Sequence, residues 1–348
     1  MFTFSLKDFN TFKLNIFAEL LILAKTPEIV LNAWQFSQLT NKPFLLLGNG
    51  SNILFLNNFS GTVVINRIKG IEYKETLEYW YIHVGAGENW HELIKQTLRK
   101  GIFGLENLAM IPGLTGAAPI QNIGAYGLEF QDVCNYVDLL NLQRGKIKRI
   151  YCNECDFHYR SSIFKNICKK NFLVTSVGLK LKKKWKPILS YESLNYLCSK
   201  TVTAHDIYQK ICQIRNKKLP DYRFIGNVGS FFKNPLVNTD TFKSLSALWP
   251  EIPYWLIRDN FAKIKISAAW LIEQCNLKGF SYGDAEVYKH QALVLINKNN
   301  ATPKDIIKLA QHVRQTVGNR FNIWLEPEVT FIGMKGEVNA LEVLCDRL

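Results

Sequence analysis

The chain has 348 residues, of which 47% are hydrophobic and 21% charged, and its formal net charge is +14. This composition is that of a globular protein, which excludes whole-chain disorder, collagen and coiled coil, and the length predicts two or three domains. Apolar runs such as 20–24 are far shorter than the roughly 18 residues that cross a bilayer. The N-terminus carries charges where a signal peptide would be apolar. We therefore expect a soluble, unexported, cytoplasmic protein.

The positive charge permits an anionic partner, which would be a nucleic acid, a membrane surface or a small molecule. The charge is spread along the chain, and its densest run, 180–186, is typical of a solvated basic face. The sequence contains no zinc-finger, basic-zipper or RNA-binding signature. We expect a small-molecule partner without nucleic acid or membrane insertion, and a non-catalytic nucleic-acid-binding protein stays open as an alternative.

Eight cysteines are scattered along the sequence, and Cys152 and Cys155 form its single C-x-x-C pair. A structural zinc site would need a second pair or histidines at matching spacing, which do not follow. Without an export signal the cysteines are expected to be reduced thiols. The pair is interpreted as two incidental thiols, and no metal site is predicted.

The first elements follow one another within about 70 residues. Thr26 and Pro27 predict a helix start, because Thr caps a helix and Pro suits its first position. Strands are predicted at 44–47, 53–56 and 62–65.

The middle of the chain predicts a strand at 79–84 and a helix at 90–100, capped by Asn89 and ended by Gly101. A loop rich in Gly and Ala runs from 111 to 127, and strands resume at 133–142 and 172–181. Mixed strands with few helices favour an α+β domain.

The last stretch begins near residue 219. It predicts helices at 239–247 and 267–276 and a strand at 291–296. A further helix begins with Thr302 and Pro303, carries an apolar stripe and is expected to stop at Gly318. The tail segments 321–325 and 328–332 read as strands that return to an earlier domain.

Two loops carry the signals for a ligand. The segment 48–52, Gly-Asn-Gly-Ser-Asn, lies between two strands, where its glycines let backbone N–H groups approach an anion. A phosphate cradle and a tight turn are equally good interpretations of it. The loop 112–127 has so little side-chain volume that it leaves room for a large flat ligand, to which Gln121 and Asn122 offer hydrogen bonds.

Together with three further motifs these loops resemble one family. The five motifs lie at 48–52, 112–127, 159–162, 227–235 and 325–329. Their order and spacing are similar to those of UDP-N-acetylenolpyruvoylglucosamine reductases, the flavoenzymes of peptidoglycan precursor synthesis. The resemblance runs from about residue 10 to 333, and the segment Ser190-Tyr191-Glu192 matches the longer subclass.

The resemblance implies an α+β fold of three domains, two of which form an FAD-binding unit of the vanillyl-alcohol-oxidase type. These two are 1–70, joined by 321–348, and 71–218, and an α/β domain at 219–320 binds the UDP-sugar. FAD would be non-covalent, NADPH the hydride donor and the protein a monomer. The implied FAD-binding residues are Gly48, Asn49, Gly50, Ser51, Asn52, Ile111, Pro112, Gly113, Gly116, Ala117, Ile120, Gln121, Asn122 and Gly124.

The resemblance also implies which residues bind and convert the substrate. Arg160 offers a planar cation for a carboxylate, and Ser230 offers a hydroxyl that a carbanion could deprotonate. The alternative for Arg160 is a role in a surface ion pair, and the alternative for Ser230 is a serine that only stabilises a turn. Glu328 matches the family's functional glutamate, with Glu326 on the same strand face. Matching positions around the UDP group are Tyr191, Arg215, Lys218, Asn234 and Gln291.

An FAD oxidase of the same fold, acting on another substrate, is a further alternative. The sequence shows no His or Cys arrangement for covalent flavin attachment, which disfavours it.

Overall fold

The computed structural model describes residues 2–166, 172–191, 193–257 and 262–345. Its contacts divide the chain into two compact units. The first unit comprises residues 1–19, 50–60 and 217–348, and the second comprises 20–49 and 61–216. The three-domain boundaries predicted from the sequence stay a prediction.

An antiparallel sheet organises the second unit, and five of its strands lie in the described part of the chain. Their spatial order is Lys146–Tyr151, Cys134–Asn141, Phe172–Lys182, Tyr79–Gly85 and Ile71–Glu75. Helix Trp90–Arg99 buries Trp90, Leu93 and Ile94 in the same apolar cluster as the central strands. Each such side chain contributes about 1.5–3 kcal/mol by leaving water, so this cluster is the core of the second unit.

Local signals in the sequence set the helix starts of the second unit. Helix Pro27–Leu39 is capped by Thr26, whose hydroxyl accepts the N–H of Ile29 at 3.4 Å. Asn89 caps helix Trp90–Arg99 in the same way. Strand Phe44–Leu47 pairs in parallel with Phe59–Asn66, in which Thr62 faces Phe44. These predicted elements are confirmed, with small shifts at their ends.

Helix Ala204–Lys218 was not predicted from the sequence. Its buried residues are Ala204, Ile207 and Ile211. The apolar stripe of this helix is therefore narrow, and charged and polar residues occupy most of its other positions. Burial against neighbours such as Leu194 stabilises it. Tertiary packing thus decides this helix, and it carries two of the candidate substrate residues.

The first unit is built from small sheets and four helices within its described residues. One sheet has the order Gly226–Ser230, Val294–Asn297, Ala285–Val287 and Ser281–Tyr282, and another has Leu236–Asn238, Lys263–Ile266 and Tyr254–Leu256. A third contains Gly336–Val338, Thr330–Gly333 and Ile53–Phe55, and Phe4–Ser5 pairs with the start of Phe17–Ala24. The helices are Thr239–Leu248, Ala268–Gln274, Pro303–Phe321 and Ala340–Cys345.

An aromatic core holds the first unit together near strand Gly226–Ser230. Phe12, Phe231, Phe232 and Phe331 are each at most 1% exposed. The ring of Phe231 lies 6.5 Å from that of Phe12, 5.0 Å from that of Phe232 and 6.0 Å from that of Phe331. The backbone that follows Ser230 is therefore firmly anchored.

The predicted end of the last long helix is wrong. The helix runs past Gly318 to Phe321, and Asn322 ends it with a left-handed φ of 54°. Gly318 is needed for packing instead, because a Cβ there would lie 2.7 Å from the ring of Trp324. The described residues 321–325, predicted as a strand, do not form one. In place of the predicted strand 328–332 the structure has strand Thr330–Gly333.

The predicted strand 291–296 begins later than expected. Gln291 lies in a turn, where its carbonyl accepts the N–H of Val294 at 3.0 Å, and the strand is Val294–Asn297. In the part of the chain that the structure describes, no helix has both the length and the apolar surface needed to cross a membrane.

Candidate active site

The glycine loop 48–52 connects strands Phe44–Leu47 and Ile53–Phe55. Gly50 has a φ of 60°, and its carbonyl accepts the N–H of Thr11 at 3.1 Å. Because a trans peptide points its C=O and N–H in opposite directions, the N–H of Ser51 points away from Thr11. A Cβ on Gly50 would overlap the carbonyl oxygen of Phe9. The chain's own packing therefore requires this glycine, whatever the loop binds.

Asn52 ties this loop to the segment that carries Glu328. Its amide Nδ2 donates to the carbonyl of Glu328 at 3.2 Å, and its own carbonyl accepts from the N–H of Thr330 at 3.1 Å. Strands Ile53–Phe55 and Thr330–Gly333 then run in parallel.

Ser230 is the last residue of strand Gly226–Ser230, and its side chain is exposed. The strand is irregular between Asn227 and Ser230, where Gly229 takes a φ of 74°. The side chain of Asn227 supports this bulge by accepting the N–H of Gly229 at 3.0 Å. Bulges re-aim side chains next to functional sites. Asn227 therefore shapes the backbone directly before Ser230, a contact that its place in the motif 227–235 does not reveal.

Glu328 lies against the residue that follows Ser230. Its N–H donates to the carbonyl of Phe231 at 2.8 Å, and its side chain is half-buried. Glu326 instead forms an ion pair with Lys233, with Nζ and Oε2 3.1 Å apart. The first unit thus brings the segments of Asn52, Ser230 and Glu328 together, while Glu326 has a structural partner.

The loop 112–127 is folded and largely buried. The N–H of Thr115 donates to Glu88 at 2.8 Å, and that of Gly116 donates to Ala86 at 2.9 Å. A Cβ on Gly116 would lie 2.5 Å from the Cβ of Ala86, so only glycine allows this approach. Ala117 and Ile120 remain exposed on the loop. The surface they offer is small, apolar and uncharged, as a flat ring system requires.

The side chain of Asn122 is fully buried and bonded inside the second unit. Its Nδ2 donates to Glu129 at 3.0 Å and to the carbonyl of His158 at 3.3 Å, and its Oδ1 accepts the N–H of Gln131 at 3.0 Å. The residue also has a left-handed φ of 46°. Asn122 therefore shapes the loop, and any contact with a ligand would come from its backbone.

Arg160 projects from a tight turn beside that loop. The backbones of His158 and Ser161 exchange hydrogen bonds of 3.0 and 3.1 Å, and Arg160 between them has a φ of 56°. Strained backbone of this kind in a residue other than glycine is concentrated at functional sites. Ser162 fastens the turn to the loop through a bond of 2.7 Å to the carbonyl of Ile120.

Helix Ala204–Lys218 carries Arg215 and Lys218 three residues apart. Burial lowers the pKa of Arg215, against an opposing effect of Tyr126, and its Nη2 donates to the carbonyl of Met110 at 3.1 Å. Its buried Nε has no hydrogen-bond partner among the described residues. A buried donor without a partner costs about 1–3 kcal/mol, and an anionic ligand would offset that cost. Lys218 is exposed.

The other proposed substrate residues have different surroundings. Tyr191 packs edge-on against Tyr126, with ring centroids 5.1 Å apart, whereas its neighbour Glu192 lies outside the described residues. Asn234 accepts the N–H of Ala268 at 3.0 Å and so supports the start of a helix. Gln291 is half-buried in its turn. The structure thus gives Asn234 a structural role besides any ligand contact.

The residues present fit FAD by their chemistry. The glycine loop contains backbone amides of the kind that hold a diphosphate, and the loop 112–127 has the neutral surface that suits a ring. A profile described as an FAD binding domain matches residues 18–151. A second, described as the C-terminal domain of UDP-N-acetylenolpyruvoylglucosamine reductase, matches residues 220–332. The chain is therefore of the class of FAD-binding oxidoreductases.

Whole-chain comparisons define the family. The chain is 52% identical to the UDP-N-acetylenolpyruvoylglucosamine reductase of Photorhabdus laumondii over 340 residues, 98% of this chain and 99% of the relative. It is 51% identical to that of Escherichia coli strain K12 over the same shares. The Thermus caldophilus enzyme structure shares the fold, with a TM-score of 0.66 at 24% identity, over 94% of this chain and 97% of that one. The chain belongs to the UDP-N-acetylenolpyruvoylglucosamine reductase family.

This membership confirms five predictions made from the sequence: the family, an oxidoreductase, reduction of UDP-N-acetylglucosamine enolpyruvate to UDP-N-acetylmuramate, FAD as cofactor and a mixed α and β fold. The assignment of individual residues to roles stays a prediction.

Proposed function

We propose how the protein, which reduces the enolpyruvyl group of UDP-N-acetylglucosamine enolpyruvate to give UDP-N-acetylmuramate, carries out this reaction: NADPH is the electron source and Ser230 donates the proton. The observation that supports this proposal most directly lies in the first unit. There Asn52 bonds to the backbone of Glu328, and Glu328 bonds to Phe231, next to Ser230. Hydrogen bonds through the backbones of Glu328 and Phe231 thus join the segments that carry a loop suited to an anion, the Ser230 hydroxyl and the Glu328 carboxylate. The reaction belongs to peptidoglycan precursor synthesis, and we propose a cytoplasmic monomer.

When bound, FAD supplies the hydride for the methylene carbon of the enolpyruvyl group. In the proposal the backbone of the glycine loop holds its diphosphate, and the surface around Ala117 and Ile120 supports its ring. Gly50 and Gly116 act indirectly, because each is required for the close packing of its own loop.

Ser230 donates the proton that completes the reduction. Hydride addition leaves negative charge on the carbon next to the carboxylate, and such a carbon is basic enough to take a hydroxyl proton. A nucleophilic serine would need a neighbouring base, and the motif 227–235 contains no His or Asp. The bulge at Gly229 and the buried Phe231 hold the backbone of Ser230 in place.

Arg160 and Glu328 each have a role of their own towards the substrate. The guanidinium of Arg160 binds the substrate carboxylate, whose negative charge grows as the intermediate forms. Glu328 positions or polarises the enol-like intermediate. Lys218 and Arg215 bind the UDP diphosphate, which carries about two negative charges and favours charge-assisted hydrogen bonds.

Separate measurement of the two half-reactions tests this function. The purified protein is expected to be yellow, to lose its flavin absorbance with NADPH under anaerobic conditions, and to regain it with the enolpyruvyl sugar. Mass spectrometry should then find one molecule of reduced sugar per flavin. Flavin that is reoxidised only by dioxygen would support an oxidase instead, and a colourless protein that binds RNA would support the nucleic-acid alternative.

A further inference from the structure

Three cysteines of the second unit meet at one end of its sheet. Cys134 begins strand Cys134–Asn141, and the short helical turn Cys152–Glu154 directly follows strand Lys146–Tyr151. These strands pair with Tyr136 opposite Tyr151, which brings Cys134 alongside the turn. Cys134 and Cys155 are buried, and Cys152 is half-buried. The cluster therefore adds a third thiol to a C-x-x-C pair that looks incidental in the sequence.

The thiols interact and differ in acidity. Hydrogen bonding with Cys152 is the main cause that raises the pKa of Cys134, and hydrogen bonding with Cys155 raises it further. The same hydrogen bond from Cys134 lowers the pKa of Cys152 to about 7. Near neutral pH a large share of Cys152 is therefore thiolate, the reactive form of cysteine, while Cys134 keeps its proton.

A metal site does not explain the cluster. Across the described residues no group of three His, Cys, Asp or Glu side chains is arranged to hold a metal ion. Cys168 lies outside the described residues.

Hydrogen bonds join the cluster to the turn that carries Arg160. The N–H of Ile163 donates to the carbonyl of Cys155 at 3.0 Å, which closes the intervening loop. The thiol of Cys152 donates to the carbonyl of Gln131 at 3.5 Å, and the N–H of Gln131 in turn donates to Asn122. A displacement of Cys152 would therefore disturb the base of the Arg160 turn and the support of the loop 112–127.

We propose that Cys152 and Cys134 are a peroxide-sensitive thiol pair that forms a disulfide and loosens the turn of Arg160. The Cys152 thiolate attacks one oxygen of hydrogen peroxide, the O–O bond breaks and hydroxide leaves, so that Cys152 becomes a sulfenic acid. The sulfur of Cys134 then attacks the Cys152 sulfur, the S–O bond breaks and water leaves with the Cys134 proton. In sum, two thiols and one peroxide give one disulfide and two waters, and a dithiol reductant reverses the change.

The geometry of a disulfide explains the coupling. Its sulfurs are only about 2.05 Å apart, closer than in a hydrogen-bonded pair, so the turn Cys152–Glu154 must move towards the strand. The Cys152 sulfur then moves away from the carbonyl of Gln131, to which its protonated form donates. Only the consequence for activity rests on the proposed function, because the disulfide itself requires no substrate.

Peptide mapping of the FAD-bound protein tests the proposal. After graded peroxide and blocking of the remaining thiols, we expect a peptide pair linked through Cys134 and Cys152 that dithiothreitol separates. Cys134→Ser, or Cys134→Ala if the first variant folds poorly, should leave Cys152 as a sulfenic acid that dimedone labels. Cys198→Ser, which removes an exposed thiol elsewhere, should form the disulfide as the wild type does.

Hydrogen exchange supplies the second measurement. Amides of residues 156–163 should exchange at least severalfold faster in the oxidised wild type and stay unchanged in peroxide-treated Cys134→Ser. A dimedone adduct on Cys152 of the wild type without a disulfide, a link to Cys155 instead of Cys134, or unchanged exchange in the oxidised protein would each overturn the proposal. None of these outcomes depends on turnover, so they are distinguishable from a failure of the proposed function.

Discussion

Replacing Ser230 by alanine removes one exposed hydroxyl and is expected to leave the fold intact. The strand stays anchored because Phe231 donates its N–H to Leu293 at 2.7 Å and accepts that of Glu328 at 2.8 Å. The substitution leaves these backbone bonds in place, and exposed substitutions that break no such contact usually change the free energy of unfolding by less than about 0.5 kcal/mol. Thermal unfolding should therefore be nearly unchanged in Ser230→Ala.

The effect on chemistry should be far larger and confined to one half-reaction. Loss of a general acid lowers a rate by about 10²–10⁴-fold, which corresponds to about 2.7–5.4 kcal/mol of barrier at about 1.36 kcal/mol per factor of ten. Reduction of the flavin by NADPH does not use this proton, so its rate should be unchanged. Ser230→Cys keeps a transferable proton and should recover part of the lost rate.

Anaerobic stopped-flow absorbance separates the two steps. Flavin bleaching by NADPH and its return with the enolpyruvyl sugar are followed in the wild type, in Ser230→Ala and in Ser230→Cys. Ser244→Ala, which removes an exposed hydroxyl from helix Thr239–Leu248, is the matched control and should behave as the wild type. If Ser230→Ala reoxidises at nearly the wild-type rate, the assignment is refuted, and Glu328 or a bound water becomes the preferred acid.

Three further variants address the ligand sites. Lys218→Met should weaken UDP-sugar binding by about 1.5–3 kcal/mol, the value of a charge-assisted hydrogen bond, with flavin reduction by saturating NADPH unchanged; equal damage to both steps would contradict this role. Ala117→Leu places a bulky group on an exposed position of the loop 112–127 and should lower the FAD content of the purified protein, while the exposed Ala247→Leu should not. Gly50→Ala should lower the free energy of unfolding of the flavin-free protein by more than about 1–2 kcal/mol, because the left-handed φ alone costs that much and the new Cβ overlaps Phe9. Chemical denaturation of the apoprotein measures this free energy, and a midpoint equal to that of the wild type would contradict the prediction.

Features that depend on residues within one turn were readable in the sequence. Thr26, Asn89 and Thr302 each cap a helix by accepting a backbone N–H three residues later, so donor and acceptor stand together in the chain. The sequence also indicates that position 50 needs a glycine. It does not indicate the physical reason, because the carbonyl of Phe9 that excludes a side chain there belongs to a distant segment.

Features that depend on distant partners were decided by the tertiary structure. Asn52 bonds to the carbonyl of Glu328, 276 residues away, and Cys134 meets Cys152 only because two strands pair in one register. Gly318 is typical of a helix end, yet it lies inside a helix, and the ring of Trp324 beyond the end of that helix packs against it. Each contact needs a partner that the local sequence does not name, such as a backbone carbonyl, a thiol or a ring. The sequence therefore determined the motifs, while only the folded chain determined which of them meet.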